Sequence, residues 1–434
     1  MSILGDAKVV AHALGAALST GFKGSWKDSS KDRKQRITWI GEVVLDEHLH
    51  RTAQIEILHH LAKRGYDVEL CAIYSKDPHP IHLQGVKFIS FPLRTVPFLQ
   101  PIFFTILLVI SLPFYVLTRK PRIIITEYGV CVLSFIWKPL LSRCTGLKVI
   151  LDVRSIPVER SVDRRTAFRG FLFTTSMLMA KRLFDGITTV TTMMRSDIAH
   201  RYGIDQGLIG VWTNGVSRTL FDPSKYASDR ARLRKENGLD KAFVVFYHGA
   251  VSHQRGIIES VKSIETLTGE YDDVVLFLLG NGPAVSTVRK LIHDRGVEGR
   301  VIMHDPVPYS DVPKYIAMSD VGLIPLPNHP DWAHQSPLNL LEYVAMEKPV
   351  IVTDIPCNRS IVGESECARY VSDADPLQFA EAIKHFHDRR ETLTQLRPSC
   401  RTIGEKYDWS NSAKSLEEFL TSAIERDGKL RISH

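Results

Sequence analysis

The sequence predicts an α/β fold built from two doubly wound, Rossmann-like domains facing a central cleft. Three observations carry this. At 434 residues the chain exceeds what one ordinary core serves. A strand–helix–strand alternation begins near residue 37 and restarts near residue 242. Between them lies Thr213-Asn214-Gly215-Val216, whose Asn-Gly pair is a strong turn signal. The expected divisions are a tail over 1–35, a first domain over 36–213, a second over 214–405, and a helical segment over 406–434 returning toward the first domain.

In the first domain, residues 37–40 read as a strand closed by Gly41, and 43–50 as a loop holding Asp46, Glu47, His48 and His50. Ile55, Leu58, Leu61 and Ala62 fall on one helical face, Gly65 ends that helix, and 68–73 gives the second strand. The 42–50 loop therefore sits at a carboxyl edge, where open α/β sheets bind ligands. Residues 95–117 pass without a charge, long enough for a span of ~20 apolar residues. Pro97, Pro101 and Pro113, and sheet elements on both sides, favour a helix lying on or dipping into a membrane face over a span; a buried core helix is the alternative. Residues 122–126 and 147–151 resume the sheet, with Asp152 and Arg154 at its carboxyl edge. The stretch 160–183 mixes arginines with Phe168, Phe171 and Phe173, suiting either an anionic lipid surface or a packed helix. Residues 187–190 and 209–212 are further strands, and 218–240 shows no core segment.

The second domain alternates strands at 242–247, 274–279, 301–303, 321–325, 350–352 and 368–371 with helices at 257–267, 285–293, 312–318, 338–347 and 376–387. His248-Gly-Ala-Val-Ser-His-Gln-Arg-Gly256 follows the first of these strands. There Gly249 permits a tight turn and Arg255 suits a diphosphate. Leu279-Gly-Asn-Gly-Pro283 follows the next strand, with Gly282 in the turn. In His334-Gln-Ser-Pro-Leu-Asn-Leu-Leu-Glu342 the helix is entered through Ser336 and Pro337. Its free backbone N–H groups would meet an anion, and Glu342, one turn on, could accept hydrogen bonds from a ribose diol. Capping chemistry and a solvated glutamate would explain the same residues without a ligand.

Composition narrows the function classes. A net charge of +7 without an Arg/Lys-rich block points only to an anionic partner, with phosphates, an anionic membrane face and nucleic acid all open on charge alone. No nucleic-acid partner is expected once the resemblance below is added. Six scattered cysteines without a CxxC pair indicate a reducing compartment and no zinc knuckle. The first strand lacks a following G-x-G-x-x-G and no P-loop occurs, which argues against hydride transfer and kinase chemistry. Asp46, His48 and His50 make only a weak metal set, so no metal is expected.

These residues resemble retaining glycosyltransferases of the GT-B fold, in family 4. The resemblance runs over about residues 36–425 and is strongest from 210 onward. It rests on Tyr247-His-Gly-Ala to Arg255-Gly256, on Gly280-Asn-Gly-Pro283, and on 334–345, which matches a motif of two glutamates separated by seven residues. The turn at 213–216 with Phe221-Asp-Pro223 is similar to the family's interdomain passage. There are two departures: His334 stands where the family has the first glutamate, and Ala250 where an arginine is common. The resemblance implies a UDP- or GDP-sugar donor and no metal requirement. It assigns Glu342 to the ribose, and Arg255, Asn339 and the helix amides to the diphosphate. His334 would face the donor sugar, and Asp46, Asp152 and Arg154 the acceptor side. The apolar and basic segments of the first domain favour a polyprenyl- or other lipid-linked acceptor at the cytoplasmic membrane face, with the protein peripheral or monotopic. The rival reading, raised by His334 and Ala250, is a non-catalytic nucleotide-sugar-binding scaffold subunit. A sugar epimerase of similar fold is a third.

Overall fold

The β-branched runs of the first half become parallel neighbours in one sheet. The computed structural model describes residues 34–44, 52–74, 85–92, 100–156 and 164–426. The first sheet holds β1 (Lys34–Val44), β2 (Tyr66–Tyr74), β3 (Val86–Pro92), β4 (Ile123–Glu127), β5 (Lys148–Val153), β6 (Gly186–Thr189) and β7 (Ile209–Val211), in the order β3-β2-β1-β4-β5-β6-β7. The second holds β8 (Phe243–His248), β9 (Val274–Leu279), β10 (Val301–His304), β11 (Val321–Ile324), β12 (Val350–Thr353) and β13 (Ala368–Val371), in the order β10-β9-β8-β11-β12-β13. All pairings within both sheets are parallel. Helices cover both faces of such sheets, so the strands read as continuous apolar runs. Each order reverses once, at β1/β4 and at β8/β11, and such switch points hold ligands.

The chain divides into two units between Trp212 and Thr213, and residues from Ala413 on belong with the first. Within that unit Phe419, from the helix Trp409–Glu425, lies so close over β7 that a Cβ on Gly210 would stand 2.4 Å from its ring.

Several sequence expectations are corrected. Gly41 does not close the first strand: β1 runs on to Val44, its pairing with β2 shifted in register between Ile40 and Val44. The stretch 218–240 contains the helix Ala227–Glu236, hidden from pattern reading because one of its buried positions is an arginine. Arg234 is buried there, donating to Met318 O at 2.7 Å and pairing with Asp320 at 3.2 Å. β3 and the helices Lys138–Thr145, Thr192–Tyr202, Pro356–Val362 and Arg397–Lys406 also went unread.

The uncharged segment becomes the helix Gln100–Arg119, long and apolar enough to cross a bilayer by length and composition. Residues 93–99 lie outside the described residues. One stripe, Phe104, Leu107, Leu108, Leu112 and Val116, is buried in the first domain's core. At roughly 1.5–3 kcal/mol per buried large side chain, that stripe fastens the helix firmly. A polar anchor adds to it: the Tyr115 hydroxyl donates to Glu69 of β2 and lies 2.6 Å from Thr38 Oγ1 of β1. Pro113 has no N–H to offer the carbonyl of Val109 four residues back. The Trp137 indole takes that carbonyl instead, at 2.9 Å, so the proline is accommodated without an orphaned acceptor.

Candidate functional site

At the carboxyl edge of the second sheet, two loops continue the strands as a backbone pair. Gly249 N donates to Leu279 O at 3.0 Å, and Val251 N to Asn281 O at 2.9 Å. They approach so closely that a Cβ on Gly282 would meet Val251 O at 2.3 Å, which is why glycine stands there. Gly256 adopts φ +68 at the start of the helix Ile257–Thr266, and a Cβ there would strike Pro325 O at 1.9 Å. Just before it, the Arg255 guanidinium lies 5.1 Å over the Trp332 ring. It also stands beside the Tyr247 hydroxyl, whose pKa burial pushes up and Arg255 pulls back.

The helix Leu338–Ala345 starts beside this edge. Pro337 is the last residue before it, in extended conformation, and Ser336 is buried, its carbonyl accepting from Asn214 Nδ2 at 2.6 Å. Three side chains tie the helix to the end of β8. Asn339 Nδ2 donates to His248 O at 3.2 Å; the Tyr343 hydroxyl accepts from His248 N and donates to Phe246 O, both at 3.1 Å. Glu342 is the third. Its Oε1 accepts from the Tyr309 hydroxyl at 2.9 Å, and its Oε2 lies 3.0 Å from His248 Nε2, off the axis of a hydrogen bond. The first-turn amides have no carbonyl of their own helix to bond, and the dipole's positive end is there.

The structure thus brings Gly249, Arg255, Gly282, Ser336, Pro337, Leu338, Asn339 and Glu342 to one carboxyl edge, beside the β8/β11 switch point. An arginine, helix amides and close-packed glycine loops can hold a phosphorylated ligand. Two readings change. One amide hydrogen of Asn339 is spent on His248, so this residue tethers the helix as well as facing its start. Glu342 is not an open carboxylate but an enclosed one. His334 caps the short helix Pro330–Ala333 with its backbone N–H and is partly buried in the same loop. His248, Tyr309, Trp332 and Tyr343 were not singled out in the sequence. Only His248, at a strand's end, gave a signal that could have been read.

In the first domain Asp46 and its loop lie outside the described residues. Asp152 is fully enclosed: its Oδ1 accepts from Thr188 Oγ1 at 2.6 Å and from the Trp212 indole at 3.0 Å. Burial pushes its pKa up to about 6, against the pull of Arg154. Asp152 is thus an enclosed carboxylate held by Thr188 and Trp212, not one open at the sheet edge as its place in the sequence suggested. Arg154 lies 3.5 Å over the Trp212 ring and donates to Trp212 O at 3.1 Å. Burial lowers its pKa to about 10. Among the described residues no cluster of His, Cys, Asp or Glu could hold a metal ion.

The outer face of the helix Gln100–Arg119 is apolar too. Ile102, Ile106, Ile110, Phe114 and Leu117 are exposed at helical spacing, Ile110 by 57%. Trp137, bonded to Val109, brings Leu133, Ile136 and Leu140 alongside, all exposed. Phe168 and Phe171 add to the exposed apolar surface from the helix Arg164–Leu183, where Arg169 and Arg182 are exposed as well. Residues 160–163 lie outside the described residues.

Comparison with known proteins agrees with this architecture. The family model Glycosyltransferase Family 4 matches residues 52–220, and Glycosyl transferases group 1 matches residues 229–424. A D-inositol 3-phosphate glycosyltransferase of Xylanimonas cellulosilytica is 26% identical over 249 residues, 56% of this chain and 58% of the relative. A GDP-mannose-dependent alpha-(1-6)-phosphatidylinositol monomannoside mannosyltransferase of Mycobacterium tuberculosis is 25% identical over 246 residues, 55% of this chain and 63% of the relative. The match to such curated relatives thus spans less than two thirds of their length. Among solved structures, HepE of Anabaena in complex with UDP superposes with a TM-score of 0.69 at 14% identity, covering 89% of this chain and all of that one. Sucrose-phosphate synthase of Thermosynechococcus elongatus gives 0.70 at 17%, covering 90% and 99%. With both of its Rossmann-like halves matched, the chain belongs to the group 1 glycosyltransferases of family 4 and has the GT-B fold.

Proposed function

We propose that the protein transfers a hexose or N-acetylhexosamine from a UDP- or GDP-sugar to a lipid-linked saccharide or lipid headgroup, with retention at the anomeric carbon. The observation that carries this is the single edge where Arg255, the Leu338–Ala345 helix start and two glycine loops come together. A diphosphate there would meet the guanidinium and the first-turn amides as its leaving charge develops. The bond from the anomeric carbon to the phosphate oxygen breaks and the acceptor oxygen replaces it on the same face. The acceptor proton passes to the departing diphosphate, which needs no protein carboxylate as nucleophile. Ribose binding is assigned to Glu342, with the Tyr309 hydroxyl giving way to the diol. The donor sugar would lie toward His334.

The acceptor side is assigned to the first domain, with Arg154 held over the Trp212 ring. The exposed apolar helix face, with arginines nearby, supports docking on the cytoplasmic face of an anionic membrane. The mycobacterial relative, named for a phosphatidylinositol mannoside acceptor, supports a lipid acceptor as well. The test is sugar transfer by purified protein from UDP-glucose, UDP-N-acetylglucosamine and GDP-mannose to a polyprenyl-diphosphate sugar and to phosphatidylinositol mannoside in vesicles. Turnover lost in Arg255→Ala supports the reading. Donor binding without transfer or hydrolysis on any acceptor supports the non-catalytic subunit that His334 and Ala250 raise.

A further inference from the structure

A cavity of about 670 Å³ opens in the second domain at the amino ends of β11 and β12, the edge opposite Arg255 and Ser336. Its size falls within the range of small-molecule sites. Five cationic side chains line it, Arg218, Arg230, Lys348, Arg397 and Arg401, against the carboxylates of Asp222, Glu347 and Glu405. Most of these cations have partners already. Arg218 pairs with Glu405 at 3.0 Å, Arg401 Nε with Glu347 at 2.7 Å, and Arg230 with Asp320 at 2.8 Å. Among the described residues, Lys348 and Arg397 have no carboxylate at ion-pair distance.

The chemistry of Lys348 is specific. Its Nζ donates to Ala317 O at 3.0 Å and to Ser319 O at 2.6 Å, the carbonyls that Arg230 also holds. A neutral amine spends both hydrogens on those two carbonyls; the ammonium has a third to give. Burial, then the charges of Arg230, Arg397 and Arg234, against the pull of Asp320, lower its pKa to about 7. An anion beside Lys348 and Arg397 would relieve that repulsion and accept the third hydrogen.

We propose that this cavity is a second anion site, binding a small phosphate-class oxyanion such as pyrophosphate or a phosphate monoester between Lys348 and Arg397. The site is independent of the nucleotide reading, because it shares no side chain with the Arg255 edge. Binding draws a proton onto Lys348, so affinity rises as pH falls from 8.5 toward 7, by up to tenfold per pH unit.

Titration calorimetry with pyrophosphate on full-length Arg255→Ala protein keeps the two sites apart. The inference expects saturable binding there, weakened at least tenfold when Arg397→Ala is added. Thermal stabilisation by sulfate, which does not titrate in this range, should strengthen from pH 8.5 to 7 and lose that trend in Lys348→Met. If Lys348→Met does not fold, Arg397→Ala should still flatten the sulfate response. No saturable binding in Arg255→Ala, or identical titrations with and without Arg397, overturns the inference.

Discussion

Glu342 illustrates what a buried carboxylate at a ligand edge implies. Tyr309 and His248 enclose it, so a ribose bound there as proposed would replace one hydroxyl with another. Removing the carboxylate and removing the competitor should then act differently. Glu342→Ala is expected to weaken donor binding at least tenfold, and Tyr309→Phe by less than threefold, both read by titration with the preferred nucleotide sugar. Equal losses would mean that the Tyr309 hydroxyl contributes to donor binding rather than giving way to it. Asp152 gives a prediction of another kind. Its folded pKa of about 6 exceeds the ordinary 3.8, so between those values the folded chain holds a proton the unfolded chain has lost. Stability therefore falls as pH rises through that window, by on the order of 3 kcal/mol, and stays lower above it. Asp152→Asn should gain relative to the wild type between pH 4 and pH 7.5 in urea unfolding; an unchanged difference would show that Asp152 is not so perturbed. Spacing pointed to Arg255 and Glu342 as candidates, since they follow glycine and proline punctuation. It could not disclose Tyr309 or Trp212, because a tyrosine in a loop and a tryptophan after a strand carry no periodic signal.

The helix Gln100–Arg119 was legible as apolar but not as two-faced. Apolar residues fill both stripes, and hydrophobic periodicity vanishes where no polar residue marks the outside. The structure separates them: Leu107 and Leu108 are each 3% exposed, whereas Ile106 and Ile110 are half exposed. Charging Leu108 should unfold the first domain, since a large core side chain lost costs about 2–5 kcal/mol before any buried charge is counted. Ile106→Asp with Ile110→Asp should leave the melting temperature within a few degrees and abolish flotation with anionic liposomes. Flotation unchanged by that pair would place the membrane contact elsewhere or nowhere. The polar helix Ala227–Glu236 failed to show for the opposite reason. Its apolar pattern is interrupted by a buried arginine, which reaches the core only because Asp320 and the Met318 carbonyl receive it.

The doubling of the fold was the most legible feature, because each half restarts the same alternation and the Asn-Gly turn marks the joint. Strand order was not, since parallel pairing and the reversals at β1/β4 and β8/β11 are set by long-range register. Those reversals nevertheless account for where the site residues gather: the loops after β8, β9 and β11 flank the switch point, so residues from 249 to 342 in sequence become neighbours. If the arginine and the helix amides carry the diphosphate charge, transfer should persist within twofold in excess EDTA; loss of turnover restored by a divalent cation would assign that charge to a metal. The most direct test of the account is calorimetric titration of UDP- and GDP-sugars into wild-type and Arg255→Ala protein of equal thermal stability. One saturable site per chain, weakened at least tenfold by the substitution, is the predicted result. No saturable heat with any nucleotide sugar, or equal affinity in both proteins, would contradict it.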